Sequence, residues 1–329
     1  MTIKRAQYKT RGPVPQDVIE AVEFPTPELA AGEVLIEVLA APINPSDVLT
    51  LTGLYGMLPP LPAIGGNEGV GRISAVAADV DASRVGQTVL LPVGAGTWST
   101  HVVGVAKKLM PLPSGVDAQQ LSMLTVNPPT ALLMLSEFVD LKPGEWVIQN
   151  AANSAVGSYL IQIAKLRGLK TANIVRRESA VAGVRELGAD VVLVDHDDVH
   201  KQVREATGGA VIRLAIDAVG GIATEHLANC LGEGGVLVNY GRMSGASCQI
   251  SPSAFVFKDI TLRGFWLARW FRQASPEAQK KVFGQLVQWV AAGNLKARVE
   301  RTFKVEEIKQ AVELAAAGER DGKILIVPL

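Results

Sequence analysis

Cysteine is scarce in this chain: Cys230 and Cys248 are the only two among 329 residues. Two thiols exclude a disulfide scaffold and a cysteine-rich zinc site, and both read as small core or strand residues. Histidine is sparse as well, and His101, His196, His200 and His226 are scattered. The i, i+4 pair His196 and His200 lies in the charged stretch DHDDVHKQ, which reads as a solvated helix start rather than a metal site. Charged residues make up 19% of the chain, balance to zero net charge and form no long block of one sign. That distribution argues against nucleic acid as a partner. No apolar run reaches membrane-spanning length, so no membrane partner is expected. The N-terminus, MTIKRAQYKTRG, has no apolar signal core, and the fold begins almost at once. A cytoplasmic protein without a transit peptide is the expectation.

What is present is a globular composition, 48% hydrophobic, in a chain long enough for two domains and a large core. The organising stretch is Trp146 to Glu178. Trp146 to Gln149 is a short apolar run suited to a buried parallel strand. Asn150 to Ser154 is small and polar, as a sharp turn requires. Val156, Leu160, Ile161, Ile163, Ala164 and Leu166 then recur at helical spacing up to Gly168. Thr171 to Val175 is the next strand. The first turn of such a βαβ unit aims free backbone N–H groups and a positive helix end at a diphosphate. The glycine fingerprint is degraded to Ala152-Asn153-Ser154-Ala155-Val156-Gly157, with only the third glycine kept. Asn153 is expected to tolerate a left-handed backbone there. Arg176 lies 19 residues beyond Gly157, and Arg177 follows it. Arginine at that distance suits a 2′-phosphate, whereas an acid would bind a free 2′-hydroxyl. The cofactor expected is therefore NADPH, with Glu178 able either to pair with an arginine or to repel the phosphate.

Along the chain, residues 3–8, 18–24, Val34 to Leu39, Val70 to Val76 and Thr88 to Pro92 read as strands. The Pro- and Gly-rich stretch between Leu39 and Val80 reads as functional loop with short helical pieces. Asn127 is expected as an N-cap, with Pro128 at the first helical position. Helix and strand patterns then alternate to about residue 266, which predicts a doubly wound parallel sheet. Residues 275–292 and KVEEIKQAVELAAAG form helices, and KILIVPL is a closing strand that returns to the first domain. The fold class is α/β. The domains expected are 1–126 with 267–329, β-rich, and 127–266, nucleotide-binding.

Several long strings carry a resemblance: LAAPINPSDV, GLYGMLPPLPAIGGNEGVG, GTWSTHVV, VNPPTALLML, VIQNAANSAVG and FKDITLRGFWLARW. With the whole-chain organisation they resemble the medium-chain dehydrogenase/reductase superfamily, and within it the mitochondrial-type trans-2-enoyl-thioester reductases. The resemblance implies a GroES-like catalytic domain joined to a Rossmann-like domain. Zinc-dependent members of the superfamily use Cys, a GHE histidine and a further Cys. At the matching places this chain has Asn44, and Asn67 in Gly66-Asn67-Glu68, with no cysteine before Cys230. Amides replace zinc donors poorly, so no metal is expected.

Enoyl-thioester reduction needs none. Hydride attacks the β-carbon, negative charge develops on the thioester oxygen, and the α-carbon takes a proton. An oxyanion donor and a proton source are required, and the family places a tyrosine at Tyr55. The resemblance also implies cofactor contacts. Asn127 would lie near the nicotinamide, Asn153, Ser154, Ala155 and Val156 at the diphosphate, and Arg176 and Arg177 at the 2′-phosphate. The family has Arg-Asp-Arg where this chain has Arg-Arg-Glu. Tyr240, Gly241, Arg242, Met243, Phe265, Trp266 and Leu267 would line the crevice, and Lys323 would touch the cofactor. Trp266 and Trp270 read as mostly core, with part of their surface on an acyl pocket. The implied substrate is an enoyl-CoA or enoyl-acyl-carrier-protein, and the implied assembly is a homodimer paired through DITLRGFW. A zinc-free quinone or enone reductase shares the cofactor domain and is the first alternative. A non-catalytic NADPH-binding protein is the second, since fold does not fix function.

Overall fold

A computed structural model describes residues 2–318 and 320–328. The chain divides into two compact units, Met1–Val126 with Phe283–Leu329, and Asn127–Val282. The front of the chain is strand-rich. β1 (Thr2–Tyr8) pairs antiparallel with β2 (Ile19–Pro25). β3 (Glu33–Pro42) follows and runs directly into helix α1 (Pro45–Thr52). The loop after α1 leads to the short β4 (Ala63–Ile64), which returns to β1. β5 (Val70–Val76), β6 (Thr88–Leu90), β7 (His101–Val105), β8 (Met110–Pro111) and helix α2 (Ala118–Ser122) complete this part. β3 is the central strand, with β5 on one side and β7 on the other along most of its length. Val34, Ile36 and Val38 join the core cluster on one face, and helix α2 packs against β3 as well, so Leu35 is also buried although simple alternation would expose it. Trp98 is fully buried in the core beneath β3, with Tyr8, Ile19, Ile36, Ile43 and Leu51.

In the second unit, α3 (Asn127–Ser136) precedes β9 (Trp146–Gln149), α4 (Ala155–Leu166) and β10 (Lys170–Val175). Then come α5 (Val181–Glu186), β11 (Val191–Val194), α6 (Val199–Ala206), β12 (Ile212–Asp217), α7 (Ile222–Cys230), β13 (Val236–Asn239), α8 (Pro252–Lys258) and β14 (Thr261–Gly264). The six strands pair in the order β11-β10-β9-β12-β13-β14, all parallel. Counted from β9 as the first, that is the 3-2-1-4-5-6 order of a dinucleotide-binding sheet. Its core is built from Ile148, Ala172, Ile174, Ala215, Leu227 and Leu237, with a second cluster of Ala152, Ile161, Val175, Val184 and Val192. Asn127 is the first residue of α3 rather than its cap. A turn over 123–126 leads straight into the helix, and Pro128 and Pro129 carry no N–H, so its first turn has few donors for a side chain to cap.

α9 (Leu267–Gln273) and α10 (Pro276–Ala291) come next. The sequence places the domain boundary at 266, but the compact units divide after Val282. Gln279 donates to the carbonyls of Phe271 and Ala274 (both 3.1 Å), which ties the start of α10 back to α9. The tail supplies β15 (Val299–Phe303), α11 (Ile308–Ala316) and β16 (Lys323–Ile326). β16 pairs antiparallel with the end of β3, Leu325 opposite Pro42 and Ile326 opposite Ala41. That register sets Lys323 beside the start of α1.

Candidate active site

The turn between β9 and α4 is shaped by Gly157. A Cβ there would stand 2.6 Å from the carbonyl oxygen of Ala152 and 2.8 Å from that of Ala151. Only glycine lets the strand end and the helix approach so closely. Ser154 caps α4, its hydroxyl accepting from Gly157 N at 3.1 Å. The first-turn N–H groups of Ala155 and Val156 have no intrahelical acceptor and suit an anion. The left-handed residue of the turn is Ala151, at φ 47, and not Asn153 as expected. The chain must reverse immediately at the strand end to clear Gly157, one step before the fingerprint begins.

Because all strands run parallel, their carboxyl ends lie along one edge of the sheet. The order reverses between β9 and β12, and a hydrogen bond spans that point: Asn150 Nδ2 donates to Asp217 Oδ1 at 2.7 Å. Asn150 Oδ1 accepts from Ala218 N at 2.8 Å. The fully buried Asp217 carboxylate also accepts from Val219 N (2.9 Å), Gly220 N (3.0 Å), Thr224 Oγ1 (2.8 Å) and Asn239 Nδ2 (3.0 Å). One carboxylate therefore organises the ends of β9, β12 and β13. The sequence marks Asn150 as the start of the turn and Asp217 as a strand end on the crevice, but gives neither a role, because their only local signal is a polar residue closing an apolar strand.

The expected residues distribute as follows. Arg176 and Arg177 follow β10 directly, Arg176 exposed and Arg177 half-buried. Tyr240 closes β13, its N–H donating to Asp217 O at 2.9 Å. Its phenol hydrogen-bonds the Ser154 side chain, joining β13 to the β9–α4 turn, and burial pushes its pKa well above the ordinary range. Gly241 packs against Ala218, Arg242 is exposed, and Met243 is 65% exposed. Phe265 is bonded through its N–H to Asn239 O (2.9 Å) and packs edge-on against Phe138 at 6.2 Å. Trp266 lies under the Arg272 guanidinium, 4.9 Å from its ring centre. Phe265, Trp266, Leu267 and Trp270 are half-buried. They are not mostly core, because β14 is the sheet's edge strand and leaves one side of this segment open.

The first unit holds Tyr55 and Lys323. α1 ends at Gly53, left-handed at φ 78, and the N–H groups of Leu54 and Tyr55 donate to Leu49 O at 2.8 and 3.2 Å. Tyr55 is half-buried, while Leu54, Met57 and Leu58 around it are exposed. Arg11 clamps this loop, donating to Pro59 O and hydrogen-bonding the buried Tyr8 phenol. At the other end of α1, Asn44 and Asp47 form a capping box. Asn44 Nδ2 donates to Glu68 Oε1 at 2.6 Å, Asn67 Nδ2 to Asp47 Oδ1 at 2.6 Å, and Lys323 Nζ to Ile43 O at 3.0 Å and to Asn44 Oδ1. Burial pushes the Asp47 carboxyl up to about 6, against hydrogen bonds and the Lys323 charge that pull it down. Burial likewise raises Glu68 and lowers Lys323, each partly offset by the other's charge.

Known proteins share this architecture. Residues 30–114 match the alcohol dehydrogenase GroES-like domain and residues 155–288 the zinc-binding dehydrogenases. The mitochondrial enoyl-[acyl-carrier-protein] reductase of Caenorhabditis elegans is 37% identical, over 90% of this chain and 88% of its own. The chain is a medium-chain dehydrogenase/reductase of the enoyl reductase type. Among solved structures, the Etr1p/NADP/crotonyl-CoA complex superposes with a TM-score of 0.90 at 29% identity, covering 99% of this chain and 100% of that one. A candidate NADPH:quinone reductase from Bacillus thuringiensis does so with 0.90 at 28%, covering 100% of both. The mitochondrial 2-enoyl thioester reductase Etr1p/Etr2p heterodimer from Candida tropicalis gives 0.89 at 29%, covering 99% and 100%.

Two points follow for this reductase. The expectation of a cytoplasmic protein is overturned: its relatives from nematode, rat, human and Arabidopsis thaliana are mitochondrial and point to that compartment. The missing apolar signal core has no bearing on a compartment reached by an amphipathic, Arg-rich address. Zinc does not fit the reductase where zinc-dependent members hold it. Asn44 and Asn67 spend their amide donors on carboxylates, and a lysine ammonium sits among the same groups. A divalent cation would meet two amides, which are poor ligands, and carboxylates already taken up by hydrogen bonds from those amides and from backbone N–H groups.

Proposed function

We propose that the protein reduces the C=C bond of trans-2-enoyl thioesters, carried on coenzyme A or an acyl-carrier protein, with NADPH. The observation that carries this is the full-length match to a reductase complexed with NADP and crotonyl-CoA. The second unit supports this reading: the Gly157 cradle and the first-turn N–H groups of Ala155 and Val156 suit a diphosphate, and Arg176 and Arg177, which follow β10 directly, suit a 2′-phosphate. Bound NADPH supplies the hydride. Tyr55 is assigned as the donor that stabilises negative charge on the thioester oxygen and delivers a proton toward the α-carbon. Asn127, Tyr240 to Met243, and Phe265 to Leu267 are assigned to orient the nicotinamide and the acyl chain.

The test is NADPH consumption with a short and a medium trans-2-enoyl-CoA, with a quinone assayed in parallel, on the native protein and on Tyr55→Phe. Turnover of the thioesters, falling about 10²–10³-fold in the variant, is expected. Near-normal turnover by a folded Tyr55→Phe would remove Tyr55 from the chemistry. Activity on quinone alone would favour the second reading, a quinone reductase, which the equally close match to the Bacillus thuringiensis structure supports. The partner is proposed to be a second copy of the chain, joined along the exposed edge of β14.

A further inference from the structure

The reaction as assigned makes no use of the buried network around Lys323. Asn44, Asp47, Glu68 and Lys323 are each 5% exposed or less. Two carboxylates and an ammonium are costly to bury unless each is paired and hydrogen-bonded, and here they are. Asp47 accepts from Asn44 N (2.8 Å) and Asn67 Nδ2 (2.6 Å). Glu68 accepts from Asn44 Nδ2 (2.6 Å) and, at its other oxygen, from Thr125 N and Val126 N (both 2.9 Å). Lys323 donates to Ile43 O (3.0 Å) and Asn44 Oδ1. Asn44 is the hub, because its backbone N–H, its amide N and its amide O are all engaged. It is also the N-cap of α1. That helix has eight residues and spans about 12 Å. Its last turn holds Tyr55, whose N–H bonds Leu49 O. The network grips one end of a short rigid rod, and the proposed proton donor hangs from the other.

We propose that this lysine-centred network, standing where zinc-dependent relatives hold their metal, is a positioning device that sets α1 and thereby Tyr55 for proton delivery. The proposal rests on the reading of Tyr55 given above. Lys323 is then a positioning residue held inside the first unit, and not the cofactor contact that the resemblance implied. The two roles differ in what they predict. A cofactor contact, once removed, weakens NADPH binding. A positioning residue, once removed, lowers turnover and leaves NADPH affinity in place.

The experiment uses Lys323→Met, Asn44→Ser and Tyr55→Phe, singly and as the Lys323→Met/Tyr55→Phe pair. Turnover at saturating crotonyl-CoA, NADPH affinity by fluorescence titration and thermal unfolding are measured for each. Serine keeps the helix cap but removes the amide that bridges Glu68 and Lys323, so Asn44→Ser carries the test if Lys323→Met folds poorly. Both single variants are expected to lose about 10- to 100-fold in kcat, with NADPH affinity unchanged. Lys323→Met is expected to add no further loss once Tyr55 is phenylalanine. Weakened NADPH binding with kcat intact would overturn the proposal in favour of a cofactor contact. Losses that multiply in the pair would show that the network acts elsewhere. Full turnover by Tyr55→Phe alone would sink the Tyr55 reading and the proposal with it, an outcome distinct from either of the others.

Discussion

Asp47 carries a pH signature set by its burial. Its carboxyl rises from 3.8 to about 6 on folding, chiefly through burial. The folded state therefore holds a proton that the unfolded state has released, over the window between those values. Stability contributed at this group is present at low pH, falls as pH rises from about 4 to about 6, and is flat above that. A shift of this size corresponds to roughly 2–3 kcal/mol at most. Urea denaturation across that window is expected to show a slope in the native protein and a shallower one in Asp47→Asn, the remainder coming from Glu68, which burial also raises. An equal slope in both would place the Asp47 titration in the ordinary carboxyl range. The strings LAAPINPSDV and Gly66-Asn67-Glu68 marked Asn44 and Asn67, but only as positions where zinc ligands are missing. That Asn44, Asp47, Asn67 and Glu68 bond to one another, and that Lys323 joins them, was not legible, because hydrogen-bond partners far apart in sequence leave no local pattern.

At the scale of the element, the β9–turn–α4 unit is where sequence and structure agree best. Apolar runs, a small-residue turn and helical periodicity are local signals, and β9, α4 and β10 lie where those signals put them. The backbone detail escaped, since Ala151 rather than Asn153 takes the left-handed conformation. Gly157 is the residue on which the turn depends. In Gly157→Ala the new methyl would meet two backbone carbonyls at 2.6 and 2.8 Å, and backbone cannot yield as a side-chain tip can. Overpacking of this kind costs about 1–3 kcal/mol. The variant is expected to melt lower and to bind NADPH much more weakly in a fluorescence titration. Unchanged affinity would mean that the turn does not form the diphosphate site.

For the whole molecule, the open question is what covers the edge of the six-stranded sheet. β14 is exposed along its whole length, and an uncovered edge strand invites pairing. Thr261 N and Phe265 N donate to Gly235 and Asn239 on the β13 side, so the intervening Leu262 N–H faces outward. Leu262→Pro removes one outward donor without touching the internal ladder. Sedimentation is expected to show a dimer for the native chain and a monomer for the variant. A native monomer at micromolar concentration would end the homodimer proposal.

Short-range chemistry by itself determined the parallel sheet, the glycine-poor turn after β9 and the arginines after β10, because each is written within a few residues or one repeating period, whereas the missing zinc ligands were legible only through the resemblance. Tertiary structure alone decided that the chain's last strand lies against β3. That pairing brings Lys323 to Asn44 across 279 positions and closes the buried network at the start of α1. The physical reason is that a buried charge is tolerated only where its partners converge in space, and convergence is a property of the packed chain.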